Sequence, residues 1–121
     1  MLLVKTTLKE IKGKGIGLIA DQEIKKGHVV YTRNPIIDIW IKKKDIPKEA
    51  EDFFKTYSVD KGGDSVLVNI DNYRFLNHSD KPNITWDGKN SIAICDIHVG
   101  EEINIDYNEI DVNGFDFEAK K

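Results

Sequence analysis

The apolar residues of this chain fall in short runs, rich in β-branched side chains, that glycine and asparagine interrupt. Runs of this length bounded by turn residues are typical of β-strands. Asp87-Gly88 predicts a tight hairpin turn between two runs, and Val99-Gly100 predicts a second turn. The pattern predicts strands at residues 2–9, 16–21, 28–40, 65–70, 83–86, 91–96 and 102–105.

One helix is predicted between residues 47 and 57. Pro47 suits a first helical turn, acidic residues follow it, and Phe53, Phe54 and Tyr57 lie at helical spacing. A single short helix among many strands predicts a mostly β chain, that is, a β-rich α+β fold built from several small sheets.

Composition narrows the class of protein. A chain of 121 residues with 40% hydrophobic residues predicts one folded domain spanning residues 1–121, for which a homodimer would be a plausible supplement to stability. The net charge of −3 disfavours a nucleic-acid partner and suits a basic peptide. No apolar run is long enough to span a membrane or to act as a signal peptide, so an intracellular location, in cytoplasm or nucleus, is expected.

Metal and disulfide chemistry is not expected. Cys95 is the only cysteine, which excludes an intramolecular disulfide and a cysteine-rich zinc site. His28, His78 and His98 have no spacing typical of a ligand cluster. Glu101 and Glu102 are neighbours on a predicted strand and should point to opposite faces, so we interpret them as part of a solvated turn rather than as an acid pair.

Three segments carry candidate chemistry, although each has an ordinary structural interpretation when taken alone. Residues 12–20, KGKGIGLIA, can bring backbone groups close to a ligand or form a plain turn. Residues 72–83, NYRFLNHSDKPN, concentrate polar side chains that suit a polar ligand or an internally bonded corner. Residues 100–107, GEEINIDY, form a turn and a strand that delivers Tyr107, a residue type more often core than catalyst.

In this order the three segments resemble the SET-domain family of protein lysine methyltransferases, whose motifs they match as GxG, RFxNHSxxPN and GEEIxxDY. The resemblance spans residues 5–107. In its short length the chain is similar to the minimal stand-alone SET proteins of viruses and bacteria, and a viral member would be located in its host cell. It implies a β-clip fold with a C-terminal pseudoknot, and separate entrances for the cofactor S-adenosylmethionine and for a lysine side chain.

The resemblance also implies roles for individual residues. The cofactor would contact Gly15, Ile16, Gly17, Asn77 and His78, with Arg74 and Phe75 supporting that wall. Tyr107 would stand where the two entrances meet, as the catalytic residue. The lysine channel would be lined by Trp86 and by Tyr57 or Phe53 from the helix, for each of which ordinary core packing is the alternative.

The tail departs from the zinc-bearing members of the family, because residues 108–121 contain no cysteine. Phe115 and Phe117 are the available substitutes, and the hypothesis is a lid over cofactor or peptide, against the alternative of a frayed terminus. The expected function is methylation of a lysine in a protein, with a histone as one candidate substrate. The alternative is a catalytically inactive SET-fold module that binds a protein partner.

Overall fold

The computed structural model describes residues 1–110, which form ten short strands and one α-helix. The strands are β1 (Thr6–Ile11), β2 (Gly15–Ala20), β3 (Val29–Thr32), β4 (Asp38–Lys42), β5 (Ser58–Asp60), β6 (Ser65–Asn69), β7 (Asn77–His78), β8 (Ile84–Trp86), β9 (Asn90–Ala93) and β10 (Asn104–Ile105). The helix α1 (Glu51–Tyr57) precedes β5. Single 3₁₀ turns lie at Lys43–Asp45, Lys48–Ala50, Asn72–Phe75 and Tyr107–Glu109.

The strands pair into four small sheets. β1 and β2 form an antiparallel hairpin. Two antiparallel sheets have three strands each, in the orders β3-β9-β8 and β4-β6-β5. β7 and β10 form a parallel pair, although their first residues, Asn77 and Asn104, are 27 positions apart in the sequence. The mostly β fold class expected from the sequence is therefore confirmed.

Three of the four sheets share one hydrophobic core. Leu18 of β2, Val30 of β3, Ile84 of β8 and Ile105 of β10 are all fully buried in it. A two-stranded sheet is at best marginally stable by itself in water, and a three-stranded sheet needs a buried hydrophobic face. Each sheet therefore depends on packing against the others.

The predicted strand at residues 28–40 is two strands. Asn34 and Pro35 interrupt it, because Pro35 has no N–H to give to a ladder. The backbone oxygen of Asn34 accepts hydrogen bonds from the N–H groups of Ile37 at 3.1 Å and Asp38 at 2.7 Å. The resulting turn lets β3 and β4 enter different sheets.

The predicted helix is shorter than expected, because residues 48–50 form a 3₁₀ turn and the α-helix begins at Glu51. The short strands β5 and β7 were not predicted, since two or three residues cannot display a period. The turn at Gly88 is present, with φ of 101° and antiparallel pairing of β8 with β9 around it. No helix within residues 1–110 is long and apolar enough to cross a membrane.

The parallel β7–β10 pair positions the polar segments. It sets Ile105 beside His78, so the chain leaves β10 next to the Asn-His strand. Two residues later the backbone N–H of Tyr107 donates to Nδ1 of His78 at 3.1 Å. Segments about thirty positions apart in the sequence thereby become neighbours.

Candidate functional site

A cleft with an empty volume of about 510 Å³ brings together side chains from all three polar segments of the sequence. Thr56 and Tyr57, at the end of the helix α1, complete the wall. The cleft is lined by Lys14, Gly15, Ile16, Thr56, Tyr57, Arg74, Phe75, Leu76, Asn77 and Tyr107.

Tyr107 is held in this wall by both its backbone and its side chain. Its hydroxyl donates to the backbone oxygen of Leu76 at 2.7 Å, and the residue is buried. Burial raises the pKa of Tyr107 well above the ordinary value of 10.0. The hydroxyl is therefore protonated at neutral pH.

A second cleft, of about 430 Å³, adjoins the first. The two clefts share a common wall that includes Tyr107, Tyr57 and Leu76. Beyond that wall the second cleft is lined by residues of β5, β6 and the 3₁₀ turns: Ser58, Val59, Asn69, Tyr73 and Ile110. Tyr107 thus borders both clefts, which is the arrangement that a reaction between two ligands requires.

Asn77 and Glu102 form a polar contact at the edge of the first cleft. The side-chain nitrogen of Asn77 donates to Oε2 of Glu102 at 2.8 Å and to the backbone oxygen of Ile16 at 3.1 Å. The other carboxylate oxygen of Glu102 lies 3.4 Å from Nζ of Lys14. The expectation that Glu102 belongs to a solvated turn is therefore wrong, since its side chain is only 15% exposed.

Glu101, in contrast, is exposed and its carboxylate accepts the backbone N–H of His98 at 2.7 Å. The two adjacent glutamates therefore have different environments. Sequence reasoning missed Glu102 and Lys14 because a charged residue beside a turn carries the same local signal whether it is solvated or buried.

Gly17 is required for packing inside the protein. A Cβ atom at this position would lie 2.5 Å from Cγ1 of Ile11 and 3.0 Å from Oε2 of Glu102. Gly15 differs, because its φ of 83° favours glycine and it lines the cleft. The glycines of the first segment thus serve two separate purposes.

His78 is buried but is not among the residues that line the first cleft. Because Nδ1 accepts the Tyr107 N–H, the proton of the neutral ring belongs on Nε2, which lies 2.9 Å from Oδ1 of Asp80. The backbone oxygen of His78 lies 3.4 Å from Nζ of Lys14. The ring therefore connects the Asn-His strand to the tyrosine segment.

The remaining predicted site residues separate into groups. The guanidinium of Arg74 lies 4.9 Å from the ring centre of Phe75 and 6.0 Å from that of Tyr57, and all three line the first cleft. Phe53 packs on Tyr57 with ring centres 5.1 Å apart and is not among the lining residues. Phe115 and Phe117 lie outside the described residues.

Trp86 lines a third cavity, of about 280 Å³, rather than either cleft at Tyr107. Arg33 and Lys61 lie over its ring, at 5.2 Å and 5.6 Å from the ring centre. The third cavity shares Val59, Asn69, Tyr73 and Ile110 with the second cleft. Trp86 therefore lies next to the second cleft but does not line either of the clefts that Tyr107 borders.

The described part of the chain contains no group of three or more histidine, cysteine, aspartate or glutamate side chains that could hold a metal ion. The site is thus defined by a glycine turn, an Asn-His strand and a buried tyrosine, which a fold of small β-sheets brings to one cleft. The SET-domain sequence model matches residues 15–108, which is most of the chain. The chain belongs to the SET-domain family.

Solved structures show the same fold. A candidate histone methyltransferase of Plasmodium falciparum superposes with a TM-score of 0.60 at 22% identity, covering 86% of this chain and 93% of that one. An active polycomb repressive complex 2 in the basal state superposes with a TM-score of 0.62 at 21% identity. The complex ctPRC2, in an autoinhibited conformation bound to S-adenosylmethionine, gives 0.65 at 20% identity.

The last two matches cover 84% and 88% of this chain but only 15% and 16% of theirs. The chain therefore spans nearly all of the first protein and a small part of the polycomb chains. None of the curated proteins compared with the sequence matches it.

Proposed function

We propose that this chain is an S-adenosylmethionine-dependent protein lysine methyltransferase. The observation that carries the proposal is the position of Tyr107, which borders two adjoining clefts beside Gly15 and Asn77. Membership of the SET-domain family supports a methyltransferase. A structural neighbour bound to S-adenosylmethionine supports the choice of cofactor.

The chemistry of the residues that line the first cleft fits this cofactor. The backbone at Gly15 and Ile16, which line the cleft, can approach the ligand closely. Asn77 supplies a polar group, and the rings of Tyr57 and Phe75 supply flat apolar surface. When bound, S-adenosylmethionine supplies a methyl group that its positive sulfonium already activates.

The second cleft suits the lysine side chain. Val59, Tyr73 and Ile110 offer aliphatic and aromatic surface to the lysine methylenes. Free lysine has a pKa of about 10.4, so nearly all of it is protonated and unreactive at pH 7. A desolvating channel favours the neutral amine, whose lone pair is required for attack on the methyl carbon.

Tyr107 orients the amine and is not the base in this proposal. Its hydroxyl proton is directed at the Leu76 backbone oxygen, so the hydroxyl oxygen can accept from the incoming amine. Because burial raises the pKa of Tyr107, ionisation of this group at neutral pH is unfavourable. The proton that the amine loses goes to solvent.

The substrate proposed is a lysine-bearing protein or peptide, with a basic histone tail as one example. The net charge of −3 suits a basic partner. β5 lies at one edge of its sheet, beside the second cleft, and a peptide could add there as a further strand. A partner-binding module without activity is the alternative that the experiment must separate.

The test is transfer of label from S-adenosylmethionine to histones and to lysine peptides. We expect wild-type protein to transfer label, and Tyr107→Phe to lower the rate by about 100-fold, because it removes the oxygen that orients the amine. The affinity of Tyr107→Phe for S-adenosylhomocysteine, measured by calorimetry, should differ from that of the wild type by less than about threefold.

Tyr31→Phe is the matched control. Tyr31 is also buried, and its hydroxyl accepts from Asn69 at 3.1 Å, but it lines the third cavity rather than the clefts at Tyr107. Normal transfer by Tyr107→Phe would reject the orienting role. Cofactor binding without transfer to any substrate would favour the inactive module.

A further inference from the structure

The Glu102 carboxylate is largely buried, with its side chain 15% exposed, beside the first cleft. Its two oxygens contact two different residues of the first cleft, Asn77 at 2.8 Å and Lys14 at 3.4 Å. Asn77 and Lys14 line the cleft, while Glu102 is not among the lining residues. Glu102 therefore acts on the cleft only through these two side chains.

The contact fixes the orientation of the Asn77 amide. The groups beside its nitrogen, the Ile16 backbone oxygen and the Glu102 carboxylate, can only accept hydrogen bonds. The reverse orientation would set the amide oxygen against two acceptors. Oδ1 of Asn77 must therefore face away from them, and no residue of the described chain donates to it.

Lys14 is held in a similar way. Its ammonium lies 3.4 Å from Glu102 and 3.4 Å from the His78 backbone oxygen, and its side chain is 33% exposed. The charge is thus kept at the cleft wall, partly desolvated and within reach of an anionic group in the cleft. Asn77 and Lys14 thus offer a carbonyl acceptor and a cation to the same cleft, and together they complement the ammonium and carboxylate of an amino acid.

We propose that Glu102 is a positioning residue, which holds Asn77 and Lys14 in place to receive the amino-acid end of the cleft's ligand. The proposal rests on the proposed function, since that ligand is taken to be S-adenosylmethionine or its product. Glu102 does not touch the ligand. It orients the side-chain amide of Asn77 and holds the ammonium of Lys14 in place.

The test compares two ligands by calorimetry. S-adenosylhomocysteine carries the amino-acid end, and 5′-methylthioadenosine lacks it. The amide of Glu102→Gln has only one oxygen, so it can accept from Asn77 or from Lys14 but not from both. One of these two donors therefore loses its acceptor in either orientation of the amide. We expect Kd for S-adenosylhomocysteine to rise about tenfold, as for the loss of one charge-assisted hydrogen bond. Kd for 5′-methylthioadenosine should stay within about twofold.

Glu101→Gln is the matched control, because Glu101 is the adjacent glutamate and its carboxylate accepts from the His98 backbone N–H rather than from a residue of the cleft. It should leave both affinities unchanged. Lys14→Met is a second variant on the exposed hairpin, in case Glu102→Gln fails to fold. It should raise Kd for S-adenosylhomocysteine about fivefold and spare the shorter ligand.

Equal weakening of both ligands, or no weakening of either, would overturn the positioning role while leaving the proposed function intact. Failure of the wild-type protein to bind either nucleoside would overturn the proposed function, and the positioning role with it. The comparison measures binding only, so inactivity toward a chosen peptide does not affect its outcome.

Discussion

Asp38 illustrates how a single buried charge is stabilised in this small domain. Its carboxylate accepts from the Asn34 N–H at 2.7 Å and from the Asn69 side chain at 2.8 Å, and the residue is 3% exposed. Burial alone would raise the pKa of Asp38, but these hydrogen bonds, with one from Tyr31, outweigh it and lower the pKa. The ionised form is therefore the one that the fold requires.

Asp38→Asn should lower the free energy of unfolding at pH 7 by about 2–4 kcal/mol. The new amide presents N–H groups to partners that are themselves donors, so a buried donor loses its acceptor. Urea unfolding followed by circular dichroism measures the loss. The control is Asp45→Asn, an exposed carboxylate that should change stability by less than about 0.5 kcal/mol.

The difference in stability between the wild type and Asp38→Asn should depend on pH. Because the folded-state pKa of Asp38 lies below its ordinary value of 3.8, its contribution to stability is complete above that pH. The contribution is lost as the pH falls through the folded-state pKa. The difference between wild type and Asp38→Asn should therefore shrink below about pH 4. A difference that stayed constant down to pH 2.5 would contradict this account.

At the scale of elements, the β8–β9 hairpin depends on a turn that only glycine tolerates easily. Gly88 has a φ of 101°, a region that residues with a Cβ atom rarely adopt. The paired strands carry Ile84 and Ser91, which are both fully buried. A strained turn would therefore shift side chains of the core.

Gly88→Ala should destabilise the protein by about 1–2 kcal/mol, because the alanine must either adopt a strained φ or move the turn. No heavy atom lies within 4 Å of the added Cβ, so a steric clash is not the cause. Gly63→Ala is the control, since that position is equally open and has no positive φ. Similar thermal midpoints for the two variants would show that backbone conformation is not the decisive factor.

At the scale of the molecule, stability comes from one core shared between sheets rather than from any sheet alone. Ile103 is fully buried in that core, and its N–H donates to the Leu18 backbone oxygen at 2.8 Å. It precedes β10 directly, so it connects the hairpin of β1 and β2 to the strand that leads to Tyr107.

Ile103→Ala should cost about 3–4 kcal/mol of unfolding free energy, through lost burial and the cavity that remains. A domain of this size has a total stability of about 5–15 kcal/mol, so the thermal midpoint should fall by more than 10 °C. Ile36→Ala is the control, because Ile36 is 76% exposed. A small effect at Ile103 would mean that the sheets do not share their stability.

The sequence by itself determined the features that depend on neighbouring residues. Turn residues and apolar runs predicted the small strands and the Gly88 hairpin, and the order of three motifs indicated the family that the sequence comparison then found. Local pattern also named Gly15, Asn77 and Tyr107, which the structure brings to one cleft. It could not reveal strands as short as β7, whose pairing depends on a distant partner.

Only the tertiary structure decided which of two adjacent glutamates contacts residues that line the cleft. Glu101 and Glu102 have the same local signal, but the contacts of Glu102 are with Asn77, 25 positions away, and Lys14, 88 positions away. The position of Trp86 in a separate cavity was also decided in this way. The physical reason is that burial and hydrogen-bond partners are set by packing between sheets, which no local pattern records.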